Sequence, residues 1–326
     1  MKKHMAWLEP IYKQLEISIQ EHQTAHALLI KGQTGVGKNN LAMQLTNGFL
    51  GEVGTKLIKN EDDEGIIPDC KLVSPDESKE TISIDQIRSL KSFLLLTSLK
   101  GRGKVGVINP ADAMTYPAVN SLLKILEEPP QDTLLILLTD SINKLPSTII
   151  SRVQIITVEN PTIQQTLDWL STSNQADNWD EIINIFGCRP VLLNKLGHTY
   201  LSERIETVSN ELHRLLTKRI KPSQLANSWK SEELEINLRL VYYWFSKFLY
   251  HHLLEIDNHD LMPESLQELL GKDINIEESF NLLNEIASIR QLKINGKSLN
   301  WSLQITNLLS PIYSNMKGLQ SFESRT

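Results

Sequence analysis

A glycine pattern between an apolar run and a helical segment constrains the fold of this chain more than any other feature of its sequence. The motif Gly-x4-Gly-Lys extends from Gly32 to Lys38, after the apolar run Ala27–Lys31 and at the start of the helical pattern Lys38–Phe49. Glycines at this spacing let backbone N–H groups surround a phosphate, while the helix N-terminus and the lysine add positive charge. The motif predicts a strand, a phosphate-binding loop and a helix; the alternative is a glycine turn with a surface lysine.

Four further apolar runs alternate with helical patterns in the first half of the chain. Each is rich in Val, Ile or Leu at consecutive positions, which is typical of strands buried on both faces. The runs are Cys70–Val73, Lys104–Ile108, Thr133–Leu138 and Val153–Val158. Helical patterns lie between them at Ile84–Leu96 and Pro117–Leu126. This alternation predicts an α/β fold with a parallel sheet.

The second half of the chain shows helical periodicity almost to its end. Pro161–Thr199 predicts a small helical domain, and about five helices are expected after it, including Leu234–Leu254 and Leu299–Met316. The aromatic residues of Leu234–Leu254 recur at helical spacing, which favours core or subunit packing over a base-stacking surface. The predicted domains are residues 1–159, 160–200 and 201–326.

Composition and charge narrow the class of protein. The 326 residues are 40% apolar and 22% charged, an ordinary globular profile that excludes collagen-like and largely disordered chains. A formal net charge of −6 means that nucleic-acid contact requires a local patch or partner subunits. Cys70 and Cys188 are too few for a disulfide framework or an all-cysteine metal site. No apolar run is long enough to cross a bilayer and no secretory signal is evident, so a cytoplasmic location is expected.

Two positions depart from a working nucleotide hydrolase. The residue after the loop lysine is normally Ser or Thr, whose hydroxyl binds Mg²⁺, but here it is Asn39. Asn109 and Pro110 follow Lys104–Ile108, where acidic residues are needed to hold the Mg²⁺ shell and polarise water. The Asp112 carboxylate could replace these acidic residues only if the segment after Ile108 turned back on itself. The sequence therefore predicts a degenerate nucleotide site with little or no hydrolysis. Its candidate phosphate-binding residues are Gly32, Gly35, Gly37, Lys38 and Asn39.

Five blocks of sequence resemble, in order, the AAA+ clamp-loader subunits of bacterial DNA polymerase III, and most closely the delta-prime family among them. The blocks are Ala25–Ile30, Pro68–Pro75, Ile84–Leu90, Ala118–Pro130 and Leu145–Arg152. The resemblance implies an α/β AAA+ P-loop domain with a five-stranded parallel sheet, a small helical lid domain and an all-α C-terminal collar domain. It also implies a non-catalytic subunit of the holoenzyme, a DNA-directed DNA polymerase (nucleotidyltransferase), that helps load the sliding clamp on primed DNA.

The resemblance assigns roles to particular residues and partners. Ser151 and Arg152 match the family's Ser-Arg motif, so Arg152 is expected to act as an arginine finger in trans, at the ATP site of a neighbouring subunit. Expected partners are the gamma/tau ATPase subunits, the delta subunit and other polymerase III subunits, with primed DNA contacted mainly through the complex and no membrane. ATP or ADP binding is expected to be weak. Zinc is not expected, because Gly51–Ile67 lacks the cysteines of the family's zinc module.

Three questions stay open at this point. The chain could be an active AAA+ ATPase, either a clamp-loader motor subunit or a DNA-repair enzyme, or a scaffold with no part in catalysis. Arg152 could be a strand-start arginine in a surface salt bridge. Glu127 and Glu128 end a helix, where carboxylates oppose the macrodipole, so they either contact a neighbour or a loop or form a solvated helix end.

Overall fold

The computed structural model describes residues 4–21, 23–51, 68–76, 79–171, 177–254, 263, 266, 276–294 and 299–315. The chain divides into two compact units: Met1–Asp177 with Cys188–Lys195, and Asn178–Gly187 with Leu196–Thr326. The three-domain organisation with boundaries near residues 160 and 200 stays a prediction. Most of the segment Gly51–Ile67, where the zinc module is missing, lies outside the described residues.

The first unit contains a five-stranded sheet in which every strand pair is parallel. Its strands are β1 (Ala27–Lys31), β2 (Cys70–Val73), β3 (Lys104–Ile108), β4 (Thr133–Thr139) and β5 (Gln154–Thr157). The strand order is β2-β3-β4-β1-β5. The predicted parallel α/β sheet is confirmed, and the bounds of the first three strands match the sequence patterns.

The expectation that every strand is buried on both faces is wrong for β5. Its residues are exposed or only half-buried, whereas every residue of β3 and β4 is buried. β5 lies at the edge of the sheet and pairs only with β1. It is also shorter than the predicted Val153–Val158, because Val153 still belongs to the turn that precedes the strand.

Thirteen α-helices are defined within the described residues. They are α1 (Glu9–Gln20), α2 (Lys38–Leu50), α3 (Ile84–Leu94), α4 (Tyr116–Glu127), α5 (Ser147–Ile150), α6 (Ile163–Ser171), α7 (Asp180–Phe186), α8 (Pro190–Leu196), α9 (His198–Leu216), α10 (Pro222–Ser228), α11 (Leu234–Leu254), α12 (Ile276–Ile294) and α13 (Trp301–Asn315). None of those helices is both long enough and apolar enough to span a membrane.

Helices α3 and α4 cover one face of the sheet. Ser83 and Gln86 form a capping box at the start of α3, which satisfies two backbone N–H groups that have no partner within the helix. Leu90 of α3 and Leu122 of α4 share a buried apolar cluster with Leu29, Leu135 and Leu137 of the central strands. This packing holds the central strands, and the loops of the candidate site leave from their ends.

A buried ion pair joins the segments that enter β2 and β3. Asp69 is 2% exposed, and its Oδ1 lies 2.9 Å from the Nζ of Lys104. The carboxylate also accepts hydrogen bonds from the Ser98 hydroxyl and from the backbone N–H groups of Leu99 and Lys100. Burial alone raises the pKa of Asp69, but these hydrogen bonds outweigh it and lower the pKa from 3.8 to about 2. The carboxylate is therefore ionised at neutral pH.

The second unit is built from helices within its described part. The apolar stripe of α11 is buried, with Trp244 and Phe245 among its largest buried side chains, which confirms the expectation of core packing. From the same helix, Arg239 donates to the carbonyl oxygens of Ile185 at 3.0 Å and Phe186 at 2.9 Å, at the end of α7. The last helix begins two residues after its predicted start because the Asn300 side chain caps it, accepting from the Leu303 N–H.

Candidate nucleotide site and Ser-Arg motif

The glycine motif forms a loop between β1 and α2. Gly35 and Gly37 have φ values of +92° and +99°, a region that glycine enters without steric cost. Space is also restricted at both positions, since a Cβ atom at Gly35 would lie 2.4 Å from the Leu192 Cβ and one at Gly37 would lie 2.9 Å from the Met5 Sδ. The predicted strand, loop and helix are present in the predicted order.

The loop lysine is engaged by its own chain. Lys38 is 8% exposed, and its Nζ donates to the carbonyl oxygens of Gly32 at 2.8 Å and Gln33 at 2.9 Å. A third hydrogen bond goes to the carboxylate of Asp140, which also accepts from the Thr34 hydroxyl. An ammonium group has three N–H donors. All three are therefore used, and a phosphate has to displace at least one of these partners to reach the lysine.

Two of the residues that depart from a working hydrolase contact each other. The Asn109 side-chain Nδ2 donates to Asn39 Oδ1 at 3.0 Å. Asp112 does not take the place of the missing acid, because its carboxylate accepts from the Thr139 hydroxyl at 2.8 Å and lies 3.8 Å from Lys144 Nζ. An amide pair therefore occupies the position where a hydrolase has a hydroxyl and a carboxylate.

A cavity of about 260 Å³ lies over the loop. It is lined by the loop, by the start of α2 and by Asn109, Pro110, Asp140 and Val191. Among the described residues that line the cavity, Asp140 supplies the one carboxylate, and it is bound to Lys38 and Thr34. Asn39 and Asn109 stand where a P-loop hydrolase has the Ser or Thr hydroxyl after the loop lysine and the carboxylate after the third strand, so these two positions do not fit its usual Mg²⁺ ligand set. Within the described residues, no three His, Cys, Asp or Glu side chains are grouped to hold a metal ion.

Sequence reasoning missed Asp140. It directly follows β4, and β4 pairs with β1, the strand that leads into the phosphate loop. The carboxyl ends of adjacent parallel strands meet at the same edge of a sheet, which brings Asp140 to Lys38. The sequence shows an acidic residue immediately after an apolar run. It does not show that β4 pairs with β1, which is what brings this residue to Lys38.

We expect the substitution Asp140→Asn to strengthen nucleotide binding by about 10-fold or more. The carboxylate competes with phosphate for Lys38 and repels it, and a like-charge contact costs at least the ~1.4 kcal/mol that corresponds to 10-fold in affinity. Titration of the purified chain with ATP in a calorimeter measures the change. Asp112→Asn is the matched control, because it removes a nearby carboxylate that does not contact Lys38. Equal affinities in the Asp140→Asn and Asp112→Asn variants contradict this account of the loop.

The Ser-Arg motif lies in the turn between α5 and β5. Arg152 Nη1 donates to the Thr148 carbonyl oxygen at 3.0 Å and contacts the Ser151 hydroxyl at 3.3 Å. Its Nη2 lies 2.9 Å from Glu127 Oε1, at the end of α4. The Ser151 hydroxyl donates to the same Thr148 carbonyl at 3.1 Å. The guanidinium thus takes part in the surface salt bridge of the alternative interpretation and is 37% exposed.

The motif and the phosphate loop lie at opposite ends of the same pair of strands. β5 runs parallel to β1, with Leu28 beside Gln154 and Lys31 beside Thr157. Arg152 precedes the amino end of β5, whereas Gly32 follows the carboxyl end of β1. In this register position 152 is level with position 26, six residues before Gly32, so at about 3.3 Å per residue the two points are separated by roughly 20 Å along the strands. The structure therefore gathers the predicted loop residues into one site and keeps Ser151 and Arg152 apart from it.

Comparison with known proteins shows to which family the chain belongs. A family model described as "DNA polymerase III, delta subunit" matches residues 7–162. The DNA polymerase III subunit delta' of Pseudomonas aeruginosa is 31% identical over 249 residues, covering 73% of this chain and 74% of the relative. The chain belongs to the DNA polymerase III subunit delta' family. The delta' subunit of Haemophilus influenzae is 28% identical over 94% of this chain and 97% of its own length.

Two further similarities extend the comparison. The delta' subunit of Bacillus subtilis is 38% identical over 159 residues, which is 47% of this chain and 48% of the relative. A solved structure of a DNA polymerase III gamma subunit-related protein from Thermotoga maritima superposes with a TM-score of 0.51, 21% identity and coverage of 94% and 99% of the two chains. That structure shows the shared fold alone, and delta' family membership rests on the sequence matches.

Proposed function

We propose that this chain is a non-hydrolysing subunit of the DNA polymerase III clamp loader that supplies Arg152 to the ATP site of a neighbouring ATPase subunit. Membership of the delta' family supports the clamp-loader role, in which the chain helps load the sliding clamp on primed DNA. As such a subunit it belongs to the polymerase holoenzyme. The finer assignments concern the chemistry of its two sites.

The observation that carries the proposal is the position of Arg152. Its guanidinium is partly exposed at the amino end of the sheet, about 20 Å along the strands from the chain's own phosphate loop. An arginine there has no part in a nucleotide site of the same chain. A planar guanidinium delivered to the γ-phosphate of another subunit stabilises the charge that develops in phosphoryl transfer. The contacts with Thr148 and Ser151 hold the side chain at this surface.

The chain's own loop supports the non-hydrolysing half of the proposal. Hydrolysis needs a metal-bound phosphate and a group that orients the attacking water. The hydrogen-bonded pair Asn39–Asn109 offers neither a carboxylate nor a hydroxyl, and Lys38 is held by its own chain. Gly32, Gly35 and Gly37 keep the loop in shape, so weak binding of ATP or ADP belongs to the proposal while turnover does not.

An active AAA+ ATPase is the second candidate, and one observation favours it. Asp140 places a carboxylate in the cavity beside Lys38. If a nucleotide displaced Asp140 from Lys38, that carboxylate would be free to bind a cation or orient water.

The steady-state ATP turnover of the purified chain separates the two candidates. We expect a rate far below the roughly 10 per second that is the median for enzymes, and equal to that of a Lys38→Met variant. The variant is the control because any hydrolysis that survives it comes from a contaminant. Turnover near one per second that Lys38→Met abolishes contradicts the proposal and establishes the active ATPase.

The partners in the proposal are gamma/tau-type ATPase subunits and the delta subunit, with residues 201–326 as the collar that holds the ring of subunits together. A DNA polymerase III gamma subunit from Buchnera aphidicola is 35% identical over 134 residues, which supports a ring built from related chains. The net charge of −6 supports DNA contact mainly through the complex, and a cytoplasmic site of action belongs to the same proposal.

A further inference from the structure

Glu127 occupies a position that helix energetics do not explain. It is the last residue of α4, where a carboxylate opposes the negative end of the helix macrodipole. Its Oε1 nevertheless lies 2.9 Å from Nη2 of Arg152, which comes from a different element. The pair joins the end of α4 to the turn before β5.

The contact adds little to the stability of the fold. The side chains of Arg152 and Glu127 are 37% and 51% exposed, and exposed ion pairs contribute little because water screens them and side-chain entropy opposes them. The unfavourable helix-end position of the carboxylate offsets even that contribution. A role in stability is therefore not a sufficient reason for a glutamate at this position.

The hydrogen-bond donors of Arg152 indicate a role for the Glu127–Arg152 pair other than stability. A guanidinium has five N–H groups in a fixed plane. Nη1 is engaged by the Thr148 carbonyl and the Ser151 hydroxyl, and Nη2 makes one contact, with Glu127. Among the contacts of the described residues, the Nε–H and the second N–H of Nη2 are not used. Three acceptors thus fix the plane of the group while two donors stay available for a phosphate.

We propose that Glu127 is a positioning residue for Arg152, fixing the guanidinium in the orientation that meets the γ-phosphate of the neighbouring subunit. The inference rests on the proposed function of Arg152 in trans. Glu127 does not contact the nucleotide. It reduces the rotamers that Arg152 samples, so the arginine reaches the transition state already oriented.

The test uses the reconstituted clamp loader containing Glu127→Gln in this chain. We expect single-turnover ATP hydrolysis at the neighbouring site, with primed DNA present, to fall about 10-fold while the apparent KM for ATP stays within about twofold. Glu127→Asp keeps the charge and should recover part of the rate. In an Arg152→Ala background, Glu127→Gln should have no further effect, because the two residues act as one unit.

Glu128→Gln is the matched control. Glu128 is the next residue, is exposed, and makes no contact with Arg152 among the described interactions, so the substitution removes the same charge from the same helix end. Thermal unfolding of both variants checks that each is folded. Equal rates in the Glu127→Gln and Glu128→Gln complexes, or a rate above wild type with Glu127→Gln, overturn the inference. If Arg152→Ala itself leaves hydrolysis unchanged, the proposed function fails as well; if only Glu127→Gln is silent, the proposed function stands without it.

Discussion

Replacing Arg152 with alanine is expected to lower ATP hydrolysis at the neighbouring subunit's site by about 10³-fold, the lower end of the range for arginine fingers. The reason is electrostatic: the guanidinium stabilises charge on the transferred phosphoryl group, and alanine leaves that charge without a counter-ion. The measurement is single-turnover hydrolysis by the reconstituted complex in the presence of primed DNA. The loss should appear in the kinetic phase of ATP hydrolysis that comes from the neighbouring subunit's site.

Two further variants make the Arg152 result specific. Arg88→Ala removes an equal charge from an exposed position on α3, where the arginine pairs with Asp85, and should leave hydrolysis unchanged. Arg152→Lys keeps the charge but loses the planar fork, so it should recover only part of the rate. If Arg152→Ala and Arg88→Ala give the same rate as wild type, the arginine does not act in trans and the chain is a scaffold.

The substitution Asp69→Ala is expected to destabilise the first unit by about 3–5 kcal/mol, the usual cost of removing one partner of a buried ion pair. It leaves the ammonium of Lys104 in a site where that side chain is 5% exposed, with the Phe93 ring 4.2 Å away as a remaining contact. The hydroxyl of Ser98 and two backbone N–H groups lose their acceptor as well. Urea unfolding of the purified chain measures the loss.

The Asp69 prediction is checked in two ways, with an exposed carboxylate as a control and by the pH dependence of the free energy of unfolding. Asp85→Ala removes a carboxylate that is 82% exposed and should cost less than about 1 kcal/mol. The folded-state pKa of Asp69, about 2, is below the ordinary value of 3.8, so its contribution is complete above about pH 4 and is lost as the pH falls toward about 2. Equal stability losses for Asp69→Ala and Asp85→Ala contradict the buried pair.

Much of the fold could be predicted from local sequence pattern. Runs such as Lys104–Ile108 are apolar at every central position, and a strand covered on both faces requires that composition. The exposure of β5 was not predictable in the same way. Ile155 and Ile156 look like core residues, but they lie on the edge strand, and strand order is set by packing of the whole sheet.

The candidate sites also contain residues that the sequence predicts and residues that only the tertiary structure brings together. The loop from Gly32 to Lys38 is contiguous in sequence, so its shape and its defect at Asn39 could be predicted. Asp140 reaches Lys38 across 102 residues of chain, and Glu127 reaches Arg152 only because α4 ends beside the turn before β5. The sequence analysis left Glu127 open between a contact and a solvated helix end, and tertiary structure decided between them.

The most direct test of the central claim compares two variants of this chain in the same reconstituted complex. Lys38→Met disables the chain's own phosphate loop, whereas Arg152→Ala removes the group that acts on its neighbour. Single-turnover ATP hydrolysis with primed DNA should be unchanged by Lys38→Met. With Arg152→Ala, the kinetic phase that comes from hydrolysis at the neighbouring subunit's site should be lost. The opposite pattern, in which Lys38→Met slows hydrolysis and Arg152→Ala does not, would show that the chain is itself the ATPase.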